Sequence, residues 1–116
     1  CVMSFFDSEM VRAEMVEISE LQEEVYSNVF KFPSMDAKGQ LRHINLLDRL
    51  IEKQKILYAR LSLTDDPDAK KMLDRIRESA ELMGIPKNVD INVLFDQMKT
   101  SINLMKKHID KNEFPV

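Results

Sequence analysis

The amino-acid sequence predicts an all-α protein, a four-helix antiparallel bundle built on a long N-terminal helical hairpin. Apolar residues recur every three or four positions through almost the whole chain, which is the spacing of one helix face and not the alternation of a strand. Glycine occurs twice and proline four times, and these residues lie where the apolar spacing is interrupted. So few chain breakers in 116 residues are typical of helical proteins.

The length predicts one domain, because 116 residues can bury a core without disulfides or structural metals. We expect this domain to span residues 4–112, with flexible ends at 1–3 and 113–116. The single cysteine, Cys1, cannot form an intramolecular disulfide. No apolar run approaches the roughly 20 residues of a membrane-spanning helix, and the opening residues lack the basic stretch of a secretory signal. We therefore expect a cytoplasmic protein with no membrane association.

The first apolar stripe predicts a helix at about residues 7–30. Its positions are Val11, Met15, Ile18, Gln22, Val25 and Val29. Asp7 is expected to cap this helix by accepting hydrogen bonds from free amides of the first turn. Phe6 and Val11 flank that position with the spacing of a hydrophobic staple. Pro33 then interrupts the pattern, because proline has no amide hydrogen to donate to a continuing helix.

The second stripe predicts a helix at about residues 36–61, with Ser34 or Asp36 as its cap. Its positions are Ile44, Leu47, Ile51, Gln54, Tyr58 and Leu61, widened by Leu50 and Leu57. The first predicted helix holds seven acidic residues and one arginine, whereas the second holds six basic and three acidic residues. Complementary charges of this kind flank paired helices. We expect the two helices to form a hairpin whose ion pairs select the partner and add little stability.

Two shorter helices complete the expected bundle. Asp66 and Pro67 predict the start of the third helix, as its cap and first helical residue, and Gly84 predicts its end in a left-handed turn. Asp90 is expected to cap the fourth helix. The two stripes are Met72, Leu73, Ile76, Ala80 and Met83, and Leu94, Met98, Ile102, Met105 and Ile109. Short connections favour antiparallel neighbours.

The sequence predicts no enzyme, no cofactor and no metal site. The two histidines, His43 and His108, lack the glutamate three positions earlier that di-iron bundles use, and the chain has no pair of cysteines. It has neither a glycine-rich phosphate loop nor a Gly-x-Ser-x-Gly nucleophile motif. We expect both histidines to be exposed to solvent or to lie near helix ends.

Two features favour protein binding. Methionine occurs eight times, and its side chain fills core gaps but also lines adaptable partner grooves. Gln22 and Gln54 interrupt the first two stripes, where a buried amide would fix a register and an amide at the edge would simply reach water. The wide second stripe suggests an apolar surface closed by a two-fold dimer, although cover by the last two helices would instead leave a monomer. The candidate interface residues are Leu46, Leu50, Leu57, Phe5, Phe6, Met98 and Met105.

The alternative function is a regulator that associates with nucleic acid or the transcription machinery. The second helix could follow a phosphate backbone with basic side chains at Arg42, Arg49, Lys53 and Arg60. The same residues would also pair with the acidic first helix. The net charge of −3 argues against nucleic acid as the main partner.

Several strings of the sequence resemble one known family. They are Phe5-Phe6-Asp7-Ser8-Glu9-Met10-Val11, Leu50-Ile51-Glu52-Lys53, Tyr58-Ala59-Arg60-Leu61-Ser62-Leu63, Gly84-Ile85, Leu94-Phe95-Asp96-Gln97-Met98 and Leu104-Met105-Lys106-Lys107. From about Ser4 to Lys107, the chain resembles the small helical family catalogued as domain of unknown function 1825, found in cyanobacteria and in the tailed phages that infect them. The resemblance implies a cytoplasmic protein of a cyanobacterium or cyanophage, and a phage copy would suggest a regulatory role. It implies no activity and no catalytic residues.

Overall fold

The computed structural model describes residues 4–111, and every regular element within that range is a helix. The four α-helices are α1 (Glu9–Asn28), α2 (Ala37–Leu63), α3 (Pro67–Leu82) and α4 (Ile91–Asp110). A short 3-10 helix, Phe5–Asp7, precedes α1, and a second one, Val29–Ser34, links α1 to α2 and is called the linker helix. The predicted all-α class with four α-helices is confirmed. The flexible ends expected at 1–3 and 113–116 lie outside the described residues.

Side-chain caps begin three of the helices at the predicted residues. Asp36, Asp66 and Asp90 each accept a hydrogen bond from a backbone amide two or three residues later, at 2.8, 3.1 and 2.9 Å. Pro67 occupies the first helical position of α3, where its missing amide hydrogen leaves no bond unmade. Local cap chemistry therefore sets where α2, α3 and α4 start.

The end of α3 also follows the prediction. Gly84 has a φ of +93°, in the left-handed region that glycine reaches without steric cost. The Gly84 amide donates to the Glu81 carbonyl at 2.9 Å, and the Ile85 amide donates to the Ala80 carbonyl at 3.0 Å. These two bonds form a Schellman cap, which satisfies carbonyls that the ending helix would otherwise leave free.

The start of α1 differs from the prediction. Asp7 does not cap α1; Ser8 does, with its hydroxyl accepting from an amide of the first turn at 3.4 Å. Asp7 instead ends the preceding 3-10 helix, where it forms a reciprocal capping box with Ser4. Because the cap lies one residue later than predicted, Asp7 and Arg12 flank it. They form an ion pair at 3.4 Å in place of the predicted hydrophobic staple.

The central helix is α2, since the principal contacts between α-helices all involve it. The cluster between α1 and α2 consists of Ile18, Leu21, Val25 and Leu50. The cluster between α2 and α4 consists of Ile44, Ile51, Ile102 and Ile109. Leu47 packs against both clusters, so the two parts of the core meet along the middle of α2. The C-terminal part of α2 packs against α3, and Leu61 there is 1% exposed.

Ion pairs give the directions in which these helices run. Glu14 pairs with Arg60 and Glu17 pairs with Lys53, so positions rise along α1 as they fall along α2. The partners of α4 reverse in the same way, as Lys55–Asp96, Glu52–Lys99 and Asp48–Lys106. Both α1 and α4 therefore run antiparallel to α2.

The described part of the molecule is flat and elongated. It measures 55 × 32 × 20 Å, with a radius of gyration of 16.6 Å. A compact domain of about 100 residues has a radius of gyration of roughly 13 Å. The elongation arises because α1 and α4 both pack on α2 without packing extensively on each other. The closed antiparallel bundle expected from the sequence stays a prediction. Among residues 4–111, no helix is both long and apolar enough to cross a membrane.

Candidate functional site

An apolar groove of about 390 Å³ runs along the open edge of the α2–α4 pair. This α2–α4 groove is lined by Leu47, Ile51, Leu94, Gln97, Met98, Ser101, Ile102 and Met105. None of these side chains is charged, although 32% of the residues in the chain are. The residues of α4 that line it span about three helical turns. The groove is thus a long uncharged strip in a chain that is rich in charged residues.

The opposite edge of the same helix pair is held by ion pairs. Asp48 of α2 accepts hydrogen bonds from Lys99 at 2.6 Å and Lys106 at 2.9 Å, both on α4. These bonds hold the pKa of Asp48 below its usual value, and the bond to Asp48 raises the pKa of Lys99. Successive residues on an α-helix point 100° apart, so Met98 and Met105, each directly before one of the lysines, lie on the neighbouring face that borders the groove.

A second groove continues from the first along α3. It shares Met98 with the α2–α4 groove, and α3 contributes Met72 to its wall, with Met83 just beyond the helix. The charged residue in its lining is Arg75. With Met105 in the first groove, four methionines therefore line one connected apolar surface. Their unbranched thioether side chains can adapt to a partner of irregular shape.

The structure divides the predicted interface residues into two groups. Met98, 42% exposed, and the half-buried Met105 lie in the groove wall. Leu50 is only 4% exposed and belongs to the cluster between α1 and α2, and the half-buried Leu46 and Leu57 pack against that cluster. The expectation for Leu50 is therefore corrected, because a partner could reach it only by separating α1 from α2.

The predicted interface residues Phe5 and Phe6 form an aromatic corner before α1. Both are half-buried, and their rings meet edge to face with centroids 5.3 Å apart. The Ser4 hydroxyl beside them donates a hydrogen bond to the Asp68 carboxylate of α3 at 2.9 Å. This corner therefore joins the start of the described chain to α3.

Three of the four basic residues considered for nucleic-acid contact form ion pairs with α1. The pairs are Arg49–Glu17 at 2.7 Å, Lys53–Glu17 at 3.0 Å and Arg60–Glu14 at 2.7 Å. Hydrogen bonds from Lys53 and Arg49 lower the pKa of Glu17. The fourth residue, Arg42, is exposed and lies with Lys38 and Arg49 along a shallow groove on α2. Most of the positive charge on α2 thus has a partner within the chain.

Among residues 4–111, Gln40 and His43 are the buried polar residues, whereas Gln22 and Gln54 are half-buried. The Gln40 amide donates to the Phe32 carbonyl at 3.3 Å and so ties the linker helix to α2. His43 is 6% exposed, and its ring centroid lies 5.4 Å from that of Phe32. Its Nδ1 has no hydrogen-bond partner among residues 4–111. Burial lowers the pKa of His43. The expectation that His43 is exposed or lies near a helix end is therefore wrong.

The α2–α4 groove offers apolar contact with little polar chemistry. Its lining contains one hydroxyl, from Ser101, and one amide, from Gln97, beside six apolar side chains. Across residues 4–111, no three His, Cys, Asp or Glu side chains are grouped closely enough to hold a metal ion. Such a lining is suited to burying another apolar surface.

Comparison with protein families shows which family the chain resembles. The model of the family described as Domain of unknown function (DUF1825) matches residues 3–109, which include nearly all of the four α-helices. No curated protein and no solved structure matches the chain.

Proposed function

The chain belongs to the family described as domain of unknown function 1825, and from its geometry we propose a non-enzymatic protein-binding protein that self-associates. The observation that carries the proposal is the uncharged, methionine-lined α2–α4 groove on a helix array that is open on one side. We place this protein in a regulatory role in the cytoplasm of a cyanobacterium or a phage-infected cell, on the strength of the sequence resemblance.

A second copy of the chain fits the groove by charge. In a two-fold dimer, the same surface meets itself, so a charged side chain near the axis would face its own like charge and be repelled. The described residues that line the α2–α4 groove carry no such charge. Met98 and Met105 of one copy can therefore pack against apolar side chains of the other without burying an ion.

Pairing through the groove also completes a helical core. The shortest dimension of the described part of the molecule is 20 Å, about two helix diameters, so no described helix forms a third layer over the apolar side chains of α2 and α4. Two copies that face each other would place both α2 helices and both α4 helices around one apolar centre. A four-helix core would then form between two chains, whereas the four-helix bundle predicted from the sequence lies within one chain.

Light scattering at micromolar concentration tests this proposal. We expect a mass near twice 13.6 kDa for the unmodified chain. Met98→Asp should lower the mass to that of one chain, because it would bury a carboxylate in the interface. Leu104→Asp is the matched control: Leu104 is 52% exposed on the same helix and lies outside the groove, so its variant should stay dimeric.

Two results would contradict the proposal. A mass of 13.6 kDa that does not change on concentrating the unmodified chain would exclude self-association. Equal dissociation by Met98→Asp and Leu104→Asp would place the interface outside the α2–α4 groove.

The second candidate function is association with nucleic acid or the transcription machinery through α2. The exposed basic groove with Lys38 and Arg42 favours it, whereas the pairing of Arg49 with Glu17 weakens it. Fluorescence anisotropy with labelled duplex DNA at about 50 and 200 mM salt separates the two functions, since phosphate contacts weaken steeply as salt rises. Salt-sensitive binding that is lost in Arg42→Gln would support this second function. No binding at the lower salt concentration would exclude duplex DNA as a partner.

A further inference from the structure

A cavity of about 300 Å³ lies where all four α-helices approach one another. We call it the junction cavity; its lining is Ile18, Gln54, Leu57, Tyr58, Leu61, Met72, Ile76 and Phe95. It shares none of these residues with the α2–α4 groove. It shares Met72, Ile76 and Phe95 with the groove along α3, so the two spaces adjoin. All eight lining residues belong to one chain, so binding of a ligand in this cavity does not require self-association.

The lining of the junction cavity combines apolar side chains with two groups that can hydrogen-bond. These are the Gln54 amide and the Tyr58 hydroxyl, four residues apart on α2 and therefore on the same face of the helix. The Tyr58 ring packs against the Phe95 ring, with centroids 5.9 Å apart, which restricts the direction in which the hydroxyl points. Within the described range 4–111, no charged residue lines the cavity.

We propose that the junction cavity binds a small, uncharged, mainly apolar molecule that carries one hydrogen-bonding group, such as a phenol. Pockets for small molecules have volumes of about 300–1,000 Å³, with apolar walls and a few polar groups that fix orientation. An apolar cavity of about 150 Å³ can hold benzene, so the junction cavity has room for one or two rings. An ionic ligand is disfavoured, because the lining offers no opposite charge to compensate for its lost hydration.

Methyl NMR titration with three probes of similar size tests the proposal: phenol, toluene and benzoate. We expect phenol and toluene to shift the methyl signals of Leu61, Met72 and Ile76, with phenol binding more tightly. Benzoate at the same concentration should leave them unchanged. Absence of shifts with all three probes, shifts confined to Met98 and Met105, or benzoate binding as tightly as phenol would each overturn the proposal.

Substitutions at the two polar residues test how the ligand is recognised. Tyr58→Phe and Gln54→Met each remove one hydrogen-bonding group and keep a side chain of similar size. At least one of them should weaken phenol binding by roughly 2- to 10-fold, the effect of one net hydrogen bond, and leave toluene binding unchanged. Unchanged phenol affinity in both variants would overturn the assignment of these groups as ligand contacts.

A cavity-filling variant tests the location of the site. Ile76→Phe should abolish binding of both phenol and toluene, because the added ring occupies the cavity. Leu104→Phe adds a similar ring on the exposed face of α4 and should leave both affinities unchanged. Circular dichroism on the two variants checks that each keeps its helix content. Full phenol binding in a folded Ile76→Phe protein would overturn the proposal.

Discussion

The two helices that flank α2 are held against it in different ways. α1 packs on α2 through a buried apolar cluster, and Glu14 and Glu17 of α1 pair with basic residues of α2 beside it. α4 packs on α2 through a cluster that is at least as buried, but its ion pairs follow one edge and leave the other edge as the uncharged α2–α4 groove.

This difference distinguishes helix contacts that the chain makes within itself from an apolar surface that remains exposed. Where acidic and basic residues face each other across two helices, the chain provides both partners. Among residues 4–111, the uncharged apolar edge is lined by α2 and α4 alone. The ion pairs along one edge of α4 therefore show where it is held against α2, and the absence of charge along the other edge shows where apolar side chains stay exposed.

The largest expected effect comes from substitutions in the two apolar clusters. Ile18→Ala in the α1–α2 cluster and Ile102→Ala in the α2–α4 cluster should each lower the free energy of unfolding by about 2–5 kcal/mol, because each leaves a cavity in a packed core. Ile102 is the more buried, so its substitution should have the larger effect. Urea unfolding followed by circular dichroism measures both changes.

Val16→Ala is the control for these two variants, since Val16 is an exposed residue of α1. It should change the free energy of unfolding by no more than about 0.5 kcal/mol. If Ile102→Ala were no more destabilising than Val16→Ala, α4 would not share a common core with α2.

A smaller effect is expected from substitutions that remove ion pairs on either side of α2. Asp48→Asn should destabilise the protein by about 1–2 kcal/mol, because it removes a partly buried carboxylate that accepts hydrogen bonds from Lys99 and Lys106. Glu17→Gln should have a smaller effect that shrinks further at high salt, because the Glu17 side chain is 32% exposed and that of Asp48 is 24% exposed. Urea midpoints at low and high salt test the order. A larger loss of stability in Glu17→Gln than in Asp48→Asn would contradict the predicted order.

The smallest expected effect concerns the buried His43 of α2, which packs against the linker helix. Burial lowers the folded-state pKa of His43 below its usual value of 6.5, so folding favours the neutral ring. Its contribution to stability is full above pH 6.5 and is lost as pH falls from there through the lowered folded-state pKa. Melting temperatures at about pH 7.5 and 5.5 should therefore differ less in His43→Gln than in the unmodified protein.

His108→Gln, at the exposed histidine of α4, is the matched control. Its melting temperature should depend on pH as that of the unmodified protein does, because His43 is unchanged. An unchanged pH dependence of the melting temperature in His43→Gln would contradict the lowered folded-state pKa of His43.

The helix boundaries could be read from the sequence wherever local chemistry sets them. The caps at Asp36, Asp66 and Asp90 and the turn at Gly84 depend on residues within one helical turn. The start of α1 was misplaced because Asp7 and Ser8 can both act as caps. The reciprocal bonding of Asp7 with Ser4 leaves Ser8 as the cap of α1.

The site could be predicted only in part, because its shape depends on contacts between distant residues. Met98 and Met105 were identified from the sequence, but the open edge follows from the pairing of Lys99 and Lys106 with Asp48, 51 and 58 positions away. Buried Gln40 and His43 were missed because they are polar.

A sequence signal for these two buried residues did exist. Gln40 lies four residues before Ile44 and His43 four before Leu47, so both extend the second apolar stripe towards the linker helix. Their burial depends on Phe32, which packs on α2 from outside that helix. A periodic pattern within one helix does not show which segment covers it.

The most direct test of self-association through the α2–α4 groove is an isotope-filtered NOE experiment. A sample that mixes methionine-methyl-labelled chains with unlabelled chains reports only contacts between copies. We expect intermolecular NOEs from the methyl groups of Met98 and Met105 to apolar protons of Leu47 and Leu94 in the other copy. NOEs that arise only from residues outside the groove, or no intermolecular NOEs at a concentration where light scattering gives a dimer, would contradict this expectation.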